Sequence, residues 1–211
     1  MEVNIITHSL VGDYLSKLRD KDTPTPLFRQ ILDNLATILF VESSRDLPTR
    51  TVEIETPLER TIGAEIERQI VLVPILRAGL GMLDSILKLA PESVVMHLGV
   101  RRNEKTLEPE PYYSALGSQI EGAAVFILDP MLATGGTVAY AVETVARHSP
   151  ARIDILSVLA APEGVEKVST VAEQVSAPVR LWIAALDREL NERGYILPGL
   201  GDAGDRIFGT Q

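Results

Sequence analysis

The sequence predicts an α/β fold with a central, mostly parallel sheet and helices on both faces. Three observations carry this expectation. Residues 70–76 are a continuous apolar run, and 123–128, 153–160 and 179–186 are predominantly apolar stretches, the pattern of strands buried on both faces. Helical stretches separate them, so successive strands join by crossovers. The unusual loops, at residues 77–81, 101–105, 129–137 and 187–205, all follow the carboxyl end of such a strand, where sheets of this kind bind ligands.

Taken in order, residues 1–48 form an N-terminal helical segment. Leu10, Tyr14, Leu15 and Leu18 recur at helical spacing, as do Phe28, Ile31, Leu32, Leu35, Ile38 and Leu39. Pro24 and Pro26 separate the two helices, and Pro26 suits a first helical turn. Residues 51–56 alternate, with Val52 and Ile54 turned inward until Pro57 ends the run, which predicts a half-buried strand. An α/β core over residues 70–186 follows. It runs strand 70–76, helix to about 89, strand 94–100, a polar stretch 101–113, strand 123–128, helix 138–147, strand 153–160, helix 164–174 and strand 179–186. Residues 187–211 form a Gly/Asp-rich tail, and residues 1–211 are expected to form a single domain.

Composition narrows the function. The chain has 211 residues, a net charge of −9 and 5% aromatics. That balance argues against generic affinity for nucleic acid or an anionic membrane, and against single-strand binding by base stacking. There is no cysteine, so disulfides, thiolate catalysis and Cys-based metal sites are excluded, which fits a reducing cytoplasm. The start, Met1-Glu2-Val3-Asn4, has no basic n-region and no apolar h-region, and no secretory signal is expected. The most apolar stretch, residues 70–90, is interrupted by Arg77, Asp84 and Lys88 and is too charged to span a bilayer. The expected location is cytoplasmic.

The run Val125-Phe126-Ile127-Leu128-Asp129-Pro130-Met131-Leu132-Ala133-Thr134-Gly135-Gly136-Thr137 is the most informative. A strand feeding a Gly-rich loop at a helix N-terminus is a phosphate cradle, because free N–H groups and the helix dipole favour an anion. It is neither a Walker A motif nor a dinucleotide fingerprint, since both spacings are absent. A carboxylate beside the cradle repels phosphate, so Asp129 needs sugar hydroxyls or a metal ion. Together they point to a phosphorylated sugar.

Residues 129–137 resemble the phosphoribosyl-pyrophosphate (PRPP) loop of the uracil phosphoribosyltransferase family, within the type I phosphoribosyltransferases. Further segments resemble the same family: Leu72-Val73-Pro74-Ile75-Leu76-Arg77-Ala78-Gly79-Leu80-Gly81-Met82 its pyrophosphate loop, Val100-Arg101-Arg102-Asn103-Glu104-Lys105-Thr106 the base of its mobile β-arm, and Tyr195-Ile196-Leu197-Pro198-Gly199-Leu200-Gly201-Asp202-Ala203-Gly204-Asp205-Arg206 its uracil-binding tail. Residues 41–48 and 54–58 are also family-like, so the resemblance covers nearly the whole chain. Departures lie early: His8-Ser9-Leu10-Val11 lacks the usual proline after His, and Thr25-Pro26-Leu27 replaces a more polar stretch. These bear on the helical lobe, association and regulation more than on chemistry. Arg101 and Lys105 read as solvated. His8, His97 and His148 read as structural, and Trp182 as core.

The resemblance implies conversion of uracil and PRPP to UMP and diphosphate in pyrimidine salvage. It implies Asp202, Arg77 and Asp129 as catalytic residues. PRPP would be held by Arg77, Arg102, Asp129, Pro130, Met131, Leu132, Ala133, Thr134, Gly135, Gly136, Thr137 and Asp202. Uracil would be held by Tyr195, Ile196, Gly201, Asp202 and Ala203. Asp202 would accept from a ribose hydroxyl or a metal-bound water. Mg²⁺ is expected with PRPP, held by substrate oxygens and water rather than by a protein ligand cluster. The resemblance further implies a homo-oligomer, a dimer or higher, and GTP as an allosteric activator in some members, with no residues assigned to it. Two alternatives stand beside it: a phosphoribosyltransferase for another nucleobase, and a non-catalytic RNA-binding pyrimidine regulator on the same fold.

Overall fold

A computed structural model describes residues 1–102 and 109–210, with the backbone only for Arg102. Residues 103–106 of the arm-like segment therefore lie outside the described residues. The main sheet has the order β1 (Glu2–Ile5), β11 (Val179–Leu186), β10 (Arg152–Ala160), β8 (Ala124–Leu128), β4 (Ile70–Leu76), β6 (Leu98–Arg102), β7 (Pro109–Ser114); β5 (Val94–Val95) pairs with β4, and β9 (Met131–Leu132) with β10. All described pairings in this sheet are parallel except β6 with β7, an antiparallel hairpin at one edge. The expected α/β class with a mostly parallel sheet is what forms.

Strand alternation divides the core in two. Ala124, Phe126 and Leu128 of β8 and Leu156 and Val158 of β10 face α1 (Ser9–Arg19), α2 (Thr25–Ser43), α3 (Leu80–Leu89) and α6 (Ala203–Phe208). Val125, Ile127, Ile153 and Ile155 face α4 (Gly136–Ala146) and α5 (Pro162–Ala172). Phe28, Leu32, Leu35 and Leu39 of α2 are fully buried, each worth about 1.5–3 kcal/mol relative to exposure. Phe40 meets Phe126 edge to face with centroids 5.0 Å apart. Pro26 lies in the first turn of α2 as its missing N–H allows. His8 is structural: its Nδ1 accepts the Leu10 N–H at 3.1 Å and caps α1.

Several expectations need correction. Residues 1–48 are not wholly helical, because Glu2–Ile5 add a parallel strand beside β11. Residues 51–56 do form a strand, β2 (Thr49–Glu55), but it pairs with β3 (Arg60–Ile66) in a separate hairpin and Ile54 is exposed. Among the described residues Ile54 packs toward Gly63 of its own hairpin. The strand expected over 94–100 is interrupted at Met96 and His97, where β5 ends before β6 begins. Trp182 packs against the core but is only half-buried, with its indole N–H donating to Asp154 Oδ1 at 2.9 Å. The tail is not merely a loop: it holds a short hairpin, β12 (Glu189–Leu190) with β13 (Ile196–Leu197), and the six-residue helix α6.

Candidate active site

The carboxyl end of β8 builds the first wall. Strand β8 is buried throughout. The chain then bulges from the sheet at Asp129 and Pro130 and returns as β9. The Pro130 carbonyl accepts the N–H groups of Val158 and Leu159 at 3.0 and 3.1 Å, and the Ser157 hydroxyl donates to the Asp129 carbonyl at 2.6 Å. This anchored bulge turns the Asp129 carboxyl into a recess. Burial there pushes its pKa up to about 7, opposed only in part by the Met131 N–H at 3.4 Å from Oδ1. Asp129 therefore exchanges its proton near neutrality, unlike a surface carboxylate.

Beyond β9, Gly135 takes a left-handed conformation (φ +77°) as the N-cap of α4, where among the described residues no side chain caps the helix. The N–H groups of its first turn are left for an anion. Met131, Leu132, Ala133, Thr134, Gly135, Thr137 and Val138 line the recess. Pro130 sits buried behind the loop and Gly136 opens α4; neither lines the recess.

The end of β4 builds the second wall. Gly79 packs on the Leu128 carbonyl with no room for a Cβ, which brings Ala78 to the same recess as Asp129. The Leu76–Arg77 peptide is cis. Arg77 is exposed, faces the wider part of the cleft, and has its guanidinium carbon 5.8 Å from the Phe208 ring centroid. For Arg102 only the backbone is described, paired with Pro109.

The tail closes the third side. Asp202 caps α6, its Oδ1 accepting the Asp205 N–H at 3.0 Å. Tyr195, Ile196, Gly201, Asp202, Ala203 and Gly204 face the phosphate-type loop across a recess of about 190 Å³. This opens into a groove of about 1030 Å³ that shares Ala78, Asp129, Thr137, Tyr195 and Asp202 with it. Arg101 lines that groove while pairing with Glu110 at 2.9 Å. Tyr112, Glu192 and Arg193 line it too. Sequence reasoning missed these three: Tyr112 is contributed by the β-arm, and nothing in the local pattern marks Glu192 and Arg193. Among the described residues no group of three or more His, Cys, Asp or Glu side chains forms a metal cage.

The chain matches the family model described as uracil phosphoribosyltransferase over residues 5–210. It is 45% identical to the uracil phosphoribosyltransferase of Streptomyces griseus over 211 residues, covering 100% of this chain and 99% of that one. It is 44% identical to the one from Mycoplasma genitalium over 206 residues, covering 98% of each. Among solved structures it resembles the AQ2163 protein of Aquifex aeolicus, with a TM-score of 0.92, 37% identity and 99% of each chain covered. A hypoxanthine-guanine phosphoribosyltransferase from Bacillus anthracis shares the fold alone, with a TM-score of 0.51 at 12% identity, over 77% of this chain and 80% of that one. The full-length family match and these identities, on a fold that gathers the loops at one end of the sheet, show that the chain belongs to the uracil phosphoribosyltransferase family.

Proposed function

We propose that this protein transfers the phosphoribosyl group of PRPP to N1 of uracil, giving UMP and diphosphate, as the names of its 44–45% identical relatives indicate for those proteins. The observation that carries the reading is that the 129–137 loop, Asp129 included, and the 201–203 tail line one recess. Backbone N–H groups and the hydroxyls of Thr134 and Thr137 hold the 5′-phosphate, and Asp129 takes the ribose hydroxyls. The anomeric carbon–oxygen bond breaks with oxocarbenium character, as in glycoside transfer. Charge grows on the departing diphosphate, which the cations Arg77 and Arg102 would stabilise. Backbone groups of Ile196 and of residues 201–203 read the uracil edge, and the glycine at 201 keeps a side chain out of the way.

The donor set fits Mg²⁺ carried in with PRPP. Two carboxylates, Asp129 and Asp202, face the cleft, where Asp202 would accept from a metal-bound water while the ion keeps substrate oxygens and water as its ligands. When bound, the ion supplies charge neutralisation on the diphosphate.

A spectrophotometric panel with PRPP, Mg²⁺ and each nucleobase tests the reading, with the product identified by mass. Uracil alone should give a nucleotide. Turnover of hypoxanthine, guanine or cytosine instead would assign another acceptor, and salt-sensitive RNA binding without UMP formation would assign the regulator. GTP activation belongs to the same reading: titrating GTP at fixed PRPP should raise the rate, and an unchanged rate removes it. So does self-association. Leu58, 95% exposed, and Ile62, 71% exposed, stand on the β2–β3 hairpin as a surface that a second copy would cover. Sedimentation velocity should show a dimer or larger, and a monomer contradicts it. We place the enzyme in the cytoplasm; among the described residues no helix is long and apolar enough to cross a membrane.

A further inference from the structure

We propose that Arg19 and Asp187 are positioning residues for the backbone that reads the nucleobase; the inference rests on the assignment of residues 201–203 to uracil. Neither side chain lines the recess. Both act through Gly199. Asp187 follows the end of β11 and is 8% exposed. Its Oδ1 accepts from Arg19 Nη2 at 2.5 Å, and its Oδ2 accepts from Arg19 Nη1 at 2.8 Å and from the Gly199 N–H at 2.9 Å. Arg19 Nη1 also donates to the Gly199 carbonyl at 2.9 Å. Both backbone polar groups of Gly199, its N–H and its carbonyl, are thus held by one ion pair.

Gly199 could not be another residue here. It has φ +59°, and a Cβ would strike the Ile196 carbonyl. A second tie holds the next residue. Arg206 Nη1 donates to the carbonyls of Leu200 and Leu18 at 2.9 and 2.6 Å, and Nη2 to that of Asp20 at 2.6 Å, with the guanidinium 4.4 Å from the Phe28 ring centroid. Asp202 is then fixed as the cap of α6. Between the two ties and the cap only Gly201 (φ +84°) is left.

The chemistry explains the arrangement. Glycine-rich backbone has the most conformational freedom to lose, yet a flat base is discriminated by donors and acceptors at fixed positions. External ties supply that order before the base arrives. The C-terminal end of α1, more than 170 residues away in sequence, therefore sets the geometry of the acceptor site.

Kinetics of Arg19→Gln, Arg19→Lys and Asp187→Asn test the proposal, read as separate KM values for uracil and PRPP alongside thermal unfolding. Arg19→Gln should raise KM for uracil about tenfold or more while KM for PRPP moves less than about twofold. Arg19→Lys, which keeps the charge, should recover part of the loss. Asp187→Asn keeps an acceptor for the Gly199 N–H and should fall between. If Arg19→Gln does not fold, Arg19→Lys against wild type carries the same split. Equal rises in both KM values, or a lowered Tm with KM for uracil unchanged, would overturn the positioning role. Wild-type protein that makes no UMP would overturn the uracil assignment, and the proposal with it; active wild type with unmoved uracil KM in the variants overturns the clamp alone.

Discussion

Gly135 and Gly164 meet backbone to backbone beneath the phosphate-type loop. A Cβ on Gly135 would lie 2.7 Å from the Gly164 carbonyl oxygen, and one on Gly164 would strike the Ala133 carbonyl. The loop is seated directly on the first turn of α5. Gly164→Ala must lift it, at about 1–3 kcal/mol for overpacking. Misplacing a bound group by an ångström costs about a hundredfold in rate. We expect a lower Tm and a KM for PRPP raised about tenfold or more, with KM for uracil little changed. An unaltered PRPP KM would detach this contact from donor binding.

Asp129 makes the chemistry pH-dependent. Its folded pKa of about 7 lies above the ordinary 3.8, so ionising it costs stability. The penalty is absent below about pH 4, grows as pH rises through the folded value, and levels off above it, at about 4 kcal/mol as an upper bound. Asp129→Asn should therefore gain Tm relative to wild type as pH is raised from 4 to 8 (about the range set by those two values). Wild-type kcat/KM for PRPP should fall below about pH 7 as the carboxylate is protonated, and the asparagine variant should lack that inflection. Parallel Tm profiles for the two proteins would refute the burial of charge here.

Arg77 is exposed and makes no structural ion pair among those described, so its removal should separate catalysis from folding. Arg77→Ala should lower kcat/KM by about a hundredfold, the scale of losing one preorganised charge contact, with Tm unchanged. Near-normal activity would remove Arg77 from the diphosphate.

Asp154 governs the opposite end of the sheet. It is fully buried on β10, with Oδ1 accepting from Arg180 Nε at 2.7 Å and from Trp182 Nε1 at 2.9 Å, and with Oδ2 ion-paired to Arg152 Nε at 2.8 Å. Asp46, after α2, bridges the same two arginines. The Arg180 guanidinium hydrogen-bonded to its carboxylate holds the Asp46 pKa down at about 2. Asp154→Ala leaves two arginines without their buried partner and should cost about 3–5 kcal/mol, with both substrate KM values unchanged. Asp46 contributes stability that is present above about pH 4 and lost as pH falls toward 2, so Asp46→Asn should narrow the difference between pH 6 and pH 3 in thermal unfolding.

The central strands were legible because burial on both faces leaves only apolar residues: β4 and β8 stand where their runs of side chains put them. What escaped had weaker local signals. Glu2–Ile5 is an edge strand of four residues, too short for its alternation to register. Ile54 alternates like a core residue, but it lies in a separate two-stranded hairpin and is left exposed. Helix α6 has six residues and contains Gly204, so propensity argued for a loop. Asp154 interrupts an apolar run, and its partners lie on other elements. Glycines and acids at strand ends also make ordinary turns, so the site loops were readable through their convergence at one end of the sheet and their resemblance to family segments. The ties from Arg19 and Arg206 were not, because no local pattern links α1 to the tail.

The recess itself is tested most directly by the ratio of kcat/KM for uracil to that for cytosine, measured with saturating PRPP and Mg²⁺. Cytosine presents a donor where uracil presents an acceptor, which would leave backbone groups around residues 201–203 unpaired against the bound base. The expected preference for uracil is about 10⁴. Comparable turnover of the two bases would contradict a uracil site formed by this tail.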